Sequence, residues 1–287
     1  MRTYSPRIAL VKNSRGIYSL DTSMGCASGM ANELGGCYGD CYAANASRRY
    51  GYDFTQTVLR NFESERHRRA IVKAINRIPL DFVRIGSSGD PSEDWTHTVS
   101  ILRGIDKCEK QIVIITRHWT ALTDEQLAYM GTINVVVNTS VSALDKPELR
   151  EHCVRQYQRL KPYCKSILRV VSCDFNMDNA RGHELARVQA GLFRNDATLD
   201  TVFRPNKRNP LVTDGVINVE RSKFMDGVSL VSKLNRSAYV GKCLTCHEMC
   251  GLNIQQATPP LTSRRGVQKQ LRMFKAPRQP KQLNTQR

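Results

Sequence analysis

The stretch from Gln111 to Asp145 decides the fold: "QIVIITRHWTALTDEQLAYMGTINVVVNTSVSALD". It opens on a run of aliphatic and β-branched residues, "QIVIITR", which is apolar almost without a break. A strand with one face in water would alternate instead, so this run belongs to a strand covered on both faces. "TDEQLAYMG" follows, with Thr123 as a capping residue, good helix formers behind it and Gly131 as its stop. "INVVVNTSVS" is a second apolar run. Strand, helix and strand in this order predict two parallel strands joined by a crossover helix.

The same alternation runs outward in both directions. Upstream, "LDFVRIGSSGD" reads as a strand entering a Gly/Ser turn, and "EDWTHTVSILRGIDKC" as a helix. "GIYSLDTS" reads as a short first strand. "TVLRNFESERHRRAIVKAI" reads as one amphipathic helix, with Val58, Leu59, Phe62, Ala70, Ile71 and Ile75 on its apolar side. Downstream come the helix "KPELREHCVRQYQRLKPYC", the strand "SILRVVSCDF", the helix "NARGHELARVQAGLF" and a sixth strand at "DTVFRP". The fold class is therefore α/β with parallel strands, either an open (β/α)6 barrel or a doubly wound sheet. After Pro205 the pattern loosens, and "LVTDGVINVERSKFMDGVSLVSK" suits a hairpin or irregular strands. Three regions are expected: the β/α unit over 1–205, a cysteine-rich C-terminal extension over 206–262, and a basic tail over 263–287.

The 287 residues are 40% hydrophobic and 24% charged, which suits a globular chain with a sizeable core. No stretch approaches about 18 uninterrupted apolar residues, so no membrane span is expected. The start has no apolar signal core, which points to the cytoplasm. Ten cysteines in such a chain point to metal ligands, catalytic groups or core residues rather than disulfides. The net charge is +17. The tail carries eight Lys/Arg and no Asp/Glu, which leaves about +9 on the rest. Such a surface attracts polyanions by counterion release, so nucleic acid is the expected partner of the tail, DNA or RNA alike. A basic tail that only solubilises is the alternative.

Ligands of parallel α/β folds gather beyond the C-terminal strand ends. Five polar loops fall there: the Cys26–Cys41 loop, "GSSGDPSEDW", "TRHW", "NTSVSALD" and "SCDFNMDN". In "GGCYGDCYAANAS", Cys37 and Cys41 are four residues apart, one turn if a helix starts there, and Cys26 can fold back over the glycine-rich loop. Three thiolates on one metal centre leave a position open for a ligand, unlike a closed four-ligand structural site.

These residues resemble the radical S-adenosylmethionine (radical SAM) superfamily. The resemblance rests on the cysteine triad after the first strand, the "CY" at Cys41–Tyr42, and the glycine-rich acidic turn "GSSGDP" after the second strand. The spacing here is C-x10-C-x3-C, and Ala44 stands where the usual C-x3-C-x2-C motif ends. The "CYGDCYA" run and the "GD…W" pattern also resemble small phage- and plasmid-encoded proteins, which implies a bacterial host cell. The resemblance implies a partial (β/α)6 barrel in which Cys26, Cys37 and Cys41 hold a [4Fe-4S] cluster. The open iron would bind S-adenosylmethionine, whose reductive cleavage gives a 5′-deoxyadenosyl radical. A reductant such as flavodoxin or ferredoxin would supply the electron. By position, Ser87, Ser88, Gly89 and Asp90 would lie near the methionine amino group. Asn138, Thr139 and Ser140 would lie near the ribose or carboxylate.

The second cluster is "GKCLTCHEMCG", with Cys243, Cys246, His247 and Cys250 in a tight C-x2-C-x3-C spacing. It suits a second [4Fe-4S] cluster, a zinc knuckle, or a centre pooled with the first set. Cys173 ends the fifth strand and is a candidate hydrogen-atom donor. His118 and Trp119 are candidate contacts to substrate or adenine, or a cap on the sheet. Cys108, Cys153 and Cys164 are expected in packing, and His183 on a helix surface. Two functions follow: a radical SAM-like enzyme acting on a nucleic acid or nucleotide-derived substrate, or a zinc- or iron–sulfur-stabilised nucleic-acid-binding protein without catalysis. A hydrolytic metal site at Asp90, Asp94 and His97 is weaker, because no second carboxylate cluster accompanies it.

Overall fold

The computed structural model describes residues 1–32, 36–224 and 227–256. The basic tail lies outside them. The chain is mixed α/β, with eight α-helices among the described residues and a central sheet of seven strands. In sheet order the strands are Val11–Lys12, Tyr18–Ser19, Phe82–Ile85, Gln111–Thr116, Val135–Val141, Lys165–Ser172 and Thr198–Val202. Val11–Lys12 pairs antiparallel with Tyr18–Ser19 at one edge. All other neighbours pair parallel. Strand order follows chain order without reversal.

The continuous apolar runs explain this sheet. Val135–Val141 is buried along its whole length, so both of its faces are covered. Side chains alternate between the two faces. Val83, Ile85, Ile112, Ile114, Val135 and Val137 pack into the main core with the helices Glu65–Asn76 and Trp95–Ile105. The opposite face carries Phe82, Val113, Val136, Ile167 and Leu199 at its lower end. That face is covered by the cysteine-rich segment, through Cys243, Met249, Cys250, Leu252 and Ile254. The extension is tied down by polar bonds as well. Asn138 Nδ2 donates to the Cys250 carbonyl at 3.0 Å and Lys165 Nζ to the Leu252 carbonyl at 2.7 Å. The Ser166 amide donates to Gln256 Oε1 at 2.8 Å.

Two local expectations are corrected. The helix expected from Thr57 begins only at Glu65, where the Ser64 side chain accepts the His67 amide. Upstream of it, Val58–Leu59 is instead a short strand against Ser23–Met24. The first strand shrinks to Tyr18–Ser19. The loosened region does hold a hairpin, Glu220–Phe224 against Gly227–Val231. No helix among the described residues is long and apolar enough to cross a membrane.

Candidate active site

A cavity of about 220 Å³ opens at the C-terminal ends of the parallel strands. Cys26, Cys37 and Cys41 all line it. They reach it from three different local structures. Cys26 caps the short helix Ala27–Met30. Cys37 opens a single 3-10 turn in which Tyr38 is left-handed, at φ 59°. Cys41 is extended and caps the helix Tyr42–Arg49. The one-turn spacing of Cys37 and Cys41 on a common helix is thus corrected, because the kink at Tyr38 breaks the turn.

The glycine-rich turn faces the same cavity through Ser87, Gly89 and Asp90. It is held from below by Asp21, whose Oδ1 accepts the amides of Gly86 at 3.0 Å and Ser87 at 2.7 Å. It is held to the cysteine loop by Gly25, whose amide donates to the Ser88 carbonyl at 3.1 Å. The Tyr42 hydroxyl donates to the Ser87 carbonyl. Asp90 is buried and accepts four bonds, from the Ser92 amide and hydroxyl, the Thr116 hydroxyl and the Arg117 amide. Burial still pushes its carboxyl up.

On the Val135–Val141 strand the alternation separates the expected residues. Ser140 lines the cavity. Thr139 points to the helix-covered face and bonds His118 Nε2 at 3.1 Å. Asn138 lies lower on the inner face, bonded to Cys250. Cys173 is fully buried beside Phe175, Phe203 and Leu211 and is absent from the cavity wall. His118 is fully buried as well, its ring 5.4 Å from that of Trp95, and burial lowers its pKa to about 3. Trp119 packs in the apolar cluster that holds Cys26. Cys153 and Cys164 sit in the core and Cys108 is half-buried. The hydrolytic set is spent on structure: Asp94 caps the Trp95 helix by accepting the His97 amide, and His97 Nε2 bonds the Arg60 carbonyl.

Sequence reading missed a buried ion pair on the cavity wall. Arg117 Nη2 pairs with Asp145, and Nη1 donates to the Tyr38 hydroxyl. The guanidinium carbon lies 5.1 Å from the Tyr38 ring centroid and 5.2 Å from that of Trp119. The available signal was a cation directly after the strand "IVIIT". Burial pushes the Cys37 thiol up to about 11, and Arg117 pulls against that shift. Cys26 is raised further, by burial first and then by Asp90 and Glu93. Its Sγ donates to Glu93 Oε1 at 3.4 Å.

Among the described residues no three His, Cys, Asp or Glu side chains are gathered closely enough to hold a metal ion as placed. The three thiols nevertheless share one cavity, and the charge of Cys37 acts on Cys26 and that of Cys41 on Cys37. Sulfur donors without an imidazole fit an iron–sulfur centre or another soft metal. A cation there would also reverse the cost of burying thiolates. The second set, Cys243, Cys246 and Cys250, lines an adjoining cavity on the inner face of the sheet. The His247 side chain is 71% exposed. Arg169, Thr201, Val202 and Arg204 border both cavities. No family model matches the sequence, and no curated protein matches it either.

Proposed function

We propose that the chain is a radical SAM-like iron–sulfur enzyme that modifies a nucleic acid or a nucleotide-derived substrate. The observation that carries this reading is the convergence of Cys26, Cys37 and Cys41 on one cavity at the C-terminal strand ends, shared with the Gly86–Asp90 turn. The chain-order succession of six parallel strands supports reading the sheet as a partial (β/α)6 barrel, since a doubly wound sheet reverses its order. Cys26, Cys37 and Cys41 would hold a [4Fe-4S] cluster with one iron open to S-adenosylmethionine. Together these groups, when bound, supply one-electron reductive cleavage and a carbon radical able to abstract hydrogen.

The chain's own residues have definable tasks. Ser87 and Gly89 offer turn polar groups to a ligand on the cavity floor, and Asp21 and Tyr42 fix that turn. Ser140 offers a hydroxyl from the wall of the same cavity. Arg117, held by Asp145 and Tyr38, keeps a positive charge beside Cys37 and favours its thiolate. Cys243, Cys246 and Cys250 would hold a second iron–sulfur cluster or a zinc ion. An electron donor such as flavodoxin or ferredoxin and a nucleic acid on the basic tail are the proposed partners.

The test is anaerobic reconstitution with iron and sulfide, followed by dithionite and S-adenosylmethionine. A brown protein that releases 5′-deoxyadenosine is expected. A colourless protein holding only zinc, with no 5′-deoxyadenosine, would replace the enzyme with a zinc-stabilised nucleic-acid-binding protein.

A further inference from the structure

Four arginines meet inside the sheet between the two cysteine sets. Arg15, Arg84, Arg169 and Arg204 all line the inner cavity, and Arg169 and Arg204 extend into the candidate active site. Among the described residues none of the four has a carboxylate within ion-pair distance. Buried or half-buried charges are normally paired, because an unpaired one loses its hydration without compensation.

What holds these guanidinium groups is neutral. Arg84 Nε donates to the Ser87 hydroxyl at 3.0 Å, and Arg169 Nε to the Thr201 hydroxyl at 2.9 Å. Arg15 and Arg204 both lie against the Phe224 ring, 5.0 and 4.6 Å from its centroid, and Arg15 is 5.8 Å from that of Tyr42. Aromatic faces and hydroxyls orient a cation without cancelling its charge. Arg204 feels its neighbours: burial first, then Arg15 and Arg169, lower it to about 10. Burial works against Arg84 too, but Tyr42, Cys250, Cys243 and Asp21 favour its charge and raise it. Three acids stand nearby. Asp200 spends Oδ1 on the Ser172 hydroxyl, Asp21 spends its Oδ1 on the glycine turn, and burial shifts Asp21, Asp200 and Glu248 toward the neutral form.

We propose that Arg15, Arg84, Arg169 and Arg204 bind a phosphate group of the substrate, so that the enzyme acts on a nucleoside phosphate whose base or sugar reaches the cysteine-lined cavity. This deepens the function proposed above and rests on it for the word substrate. Planar guanidinium forks suit the tetrahedral oxygens of a phosphate, and several of them together can carry a dianion. Arg169 and Arg204 border both cavities, so an anion held there leaves the rest of the molecule pointing at Cys26, Cys37 and Cys41.

Isothermal titration of the reconstituted full chain at low salt tests this. The probes are the four ribonucleoside 5′-monophosphates, the matching nucleosides and inorganic phosphate. At least one monophosphate should bind about tenfold or more tightly than its nucleoside, and Arg169→Gln and Arg204→Gln should each weaken it by a similar factor. If either variant fails to fold, Arg15→Gln, on the turn between the strands Val11–Lys12 and Tyr18–Ser19, serves in its place. Equal affinity for nucleoside and nucleotide, or full affinity in the variants, overturns the proposal. Inorganic phosphate binding more tightly than every monophosphate assigns the site to a free anion and overturns it too. If the variants lose bound iron yet keep phosphate affinity, the arginines serve the cysteines and the proposal fails. Release of 5′-deoxyadenosine is measured on the same samples: phosphate binding without it refutes the radical reading, and the reverse result refutes only the phosphate site.

Discussion

At the scale of single residues, position on an alternating strand decides more than residue type. Asn138, Thr139 and Ser140 are consecutive, yet only Ser140 reaches the cavity wall. The neighbour of Thr139, His118, shows what burial does on the helix-covered face. Its ring is fully buried, its Nδ1 has no hydrogen-bond partner among the described residues, and its pKa falls from 6.5 to about 3, through burial first and then His152 and Arg159. A histidine neutral in the folded state and protonated when unfolded favours unfolding as pH falls. Its contribution is therefore complete above pH 6.5 and declines from there toward pH 3. The expected slope is about 1.4 kcal/mol of stability per pH unit within that window. Urea melts of the wild type and His118→Asn between pH 7 and pH 4.5 check this. The wild type should lose stability more steeply than the variant, and parallel curves would contradict the assignment.

At the scale of elements, the strands were legible because continuous apolar runs leave few alternatives. The runs at 82–85, 111–116, 135–141 and 165–172 all became parallel strands in that order. Helix starts were less legible: hydrophobic periodicity continued through residues 57–64, and only the Ser64 cap and the pairing of Val58–Leu59 with Ser23–Met24 set the true start. The glycine turn was legible as a turn but not as a joint. Its fixing partners, Asp21 and Tyr42, lie 66 and 45 residues away in sequence, beyond any local pattern. Gly86 is the hinge of that joint, at φ +89°, where a Cβ would stand 2.1 Å from the Ile115 carbonyl oxygen. Gly51 has a similar φ of +76° with open space around it. Gly86→Ala should cost more than about 3 kcal/mol, by combining left-handed strain with a backbone clash, and Gly51→Ala only about 1 kcal/mol. Thermal or urea melts of both variants compare the two directly. Similar losses would mean that the clash at Gly86 relaxes freely.

At the scale of the molecule, two cysteine sets more than 200 residues apart in sequence are brought to adjoining cavities of one sheet. Sequence spacing identified both sets but not their nearness, because that depends on the C-terminal segment covering the lower inner face of the sheet. Each set also has its own surroundings. Cys26, Cys37 and Cys41 share a cavity with the glycine turn and Arg117, Cys243, Cys246 and Cys250 share one with Arg15 and Arg84, and Arg169 and Arg204 border both. If the sets serve separate centres, replacing one should leave the other loaded. On the proposed radical SAM reading, the triple variant Cys26→Ala, Cys37→Ala, Cys41→Ala should keep the metal of the second set and lose 5′-deoxyadenosine formation by at least about a thousandfold, since it lacks the thiols that would hold the open iron. The variant Cys243→Ser, Cys246→Ser, Cys250→Ser should keep iron in the first set. It should also melt earlier, because the segment covering Val136, Ile167 and Leu199 loses its clamp. Iron, zinc and sulfide counts on both proteins, beside their melting curves, decide the matter. Loss of all metal from either variant would mean that the six thiols hold one pooled centre, and the cavities should then be read as a single site.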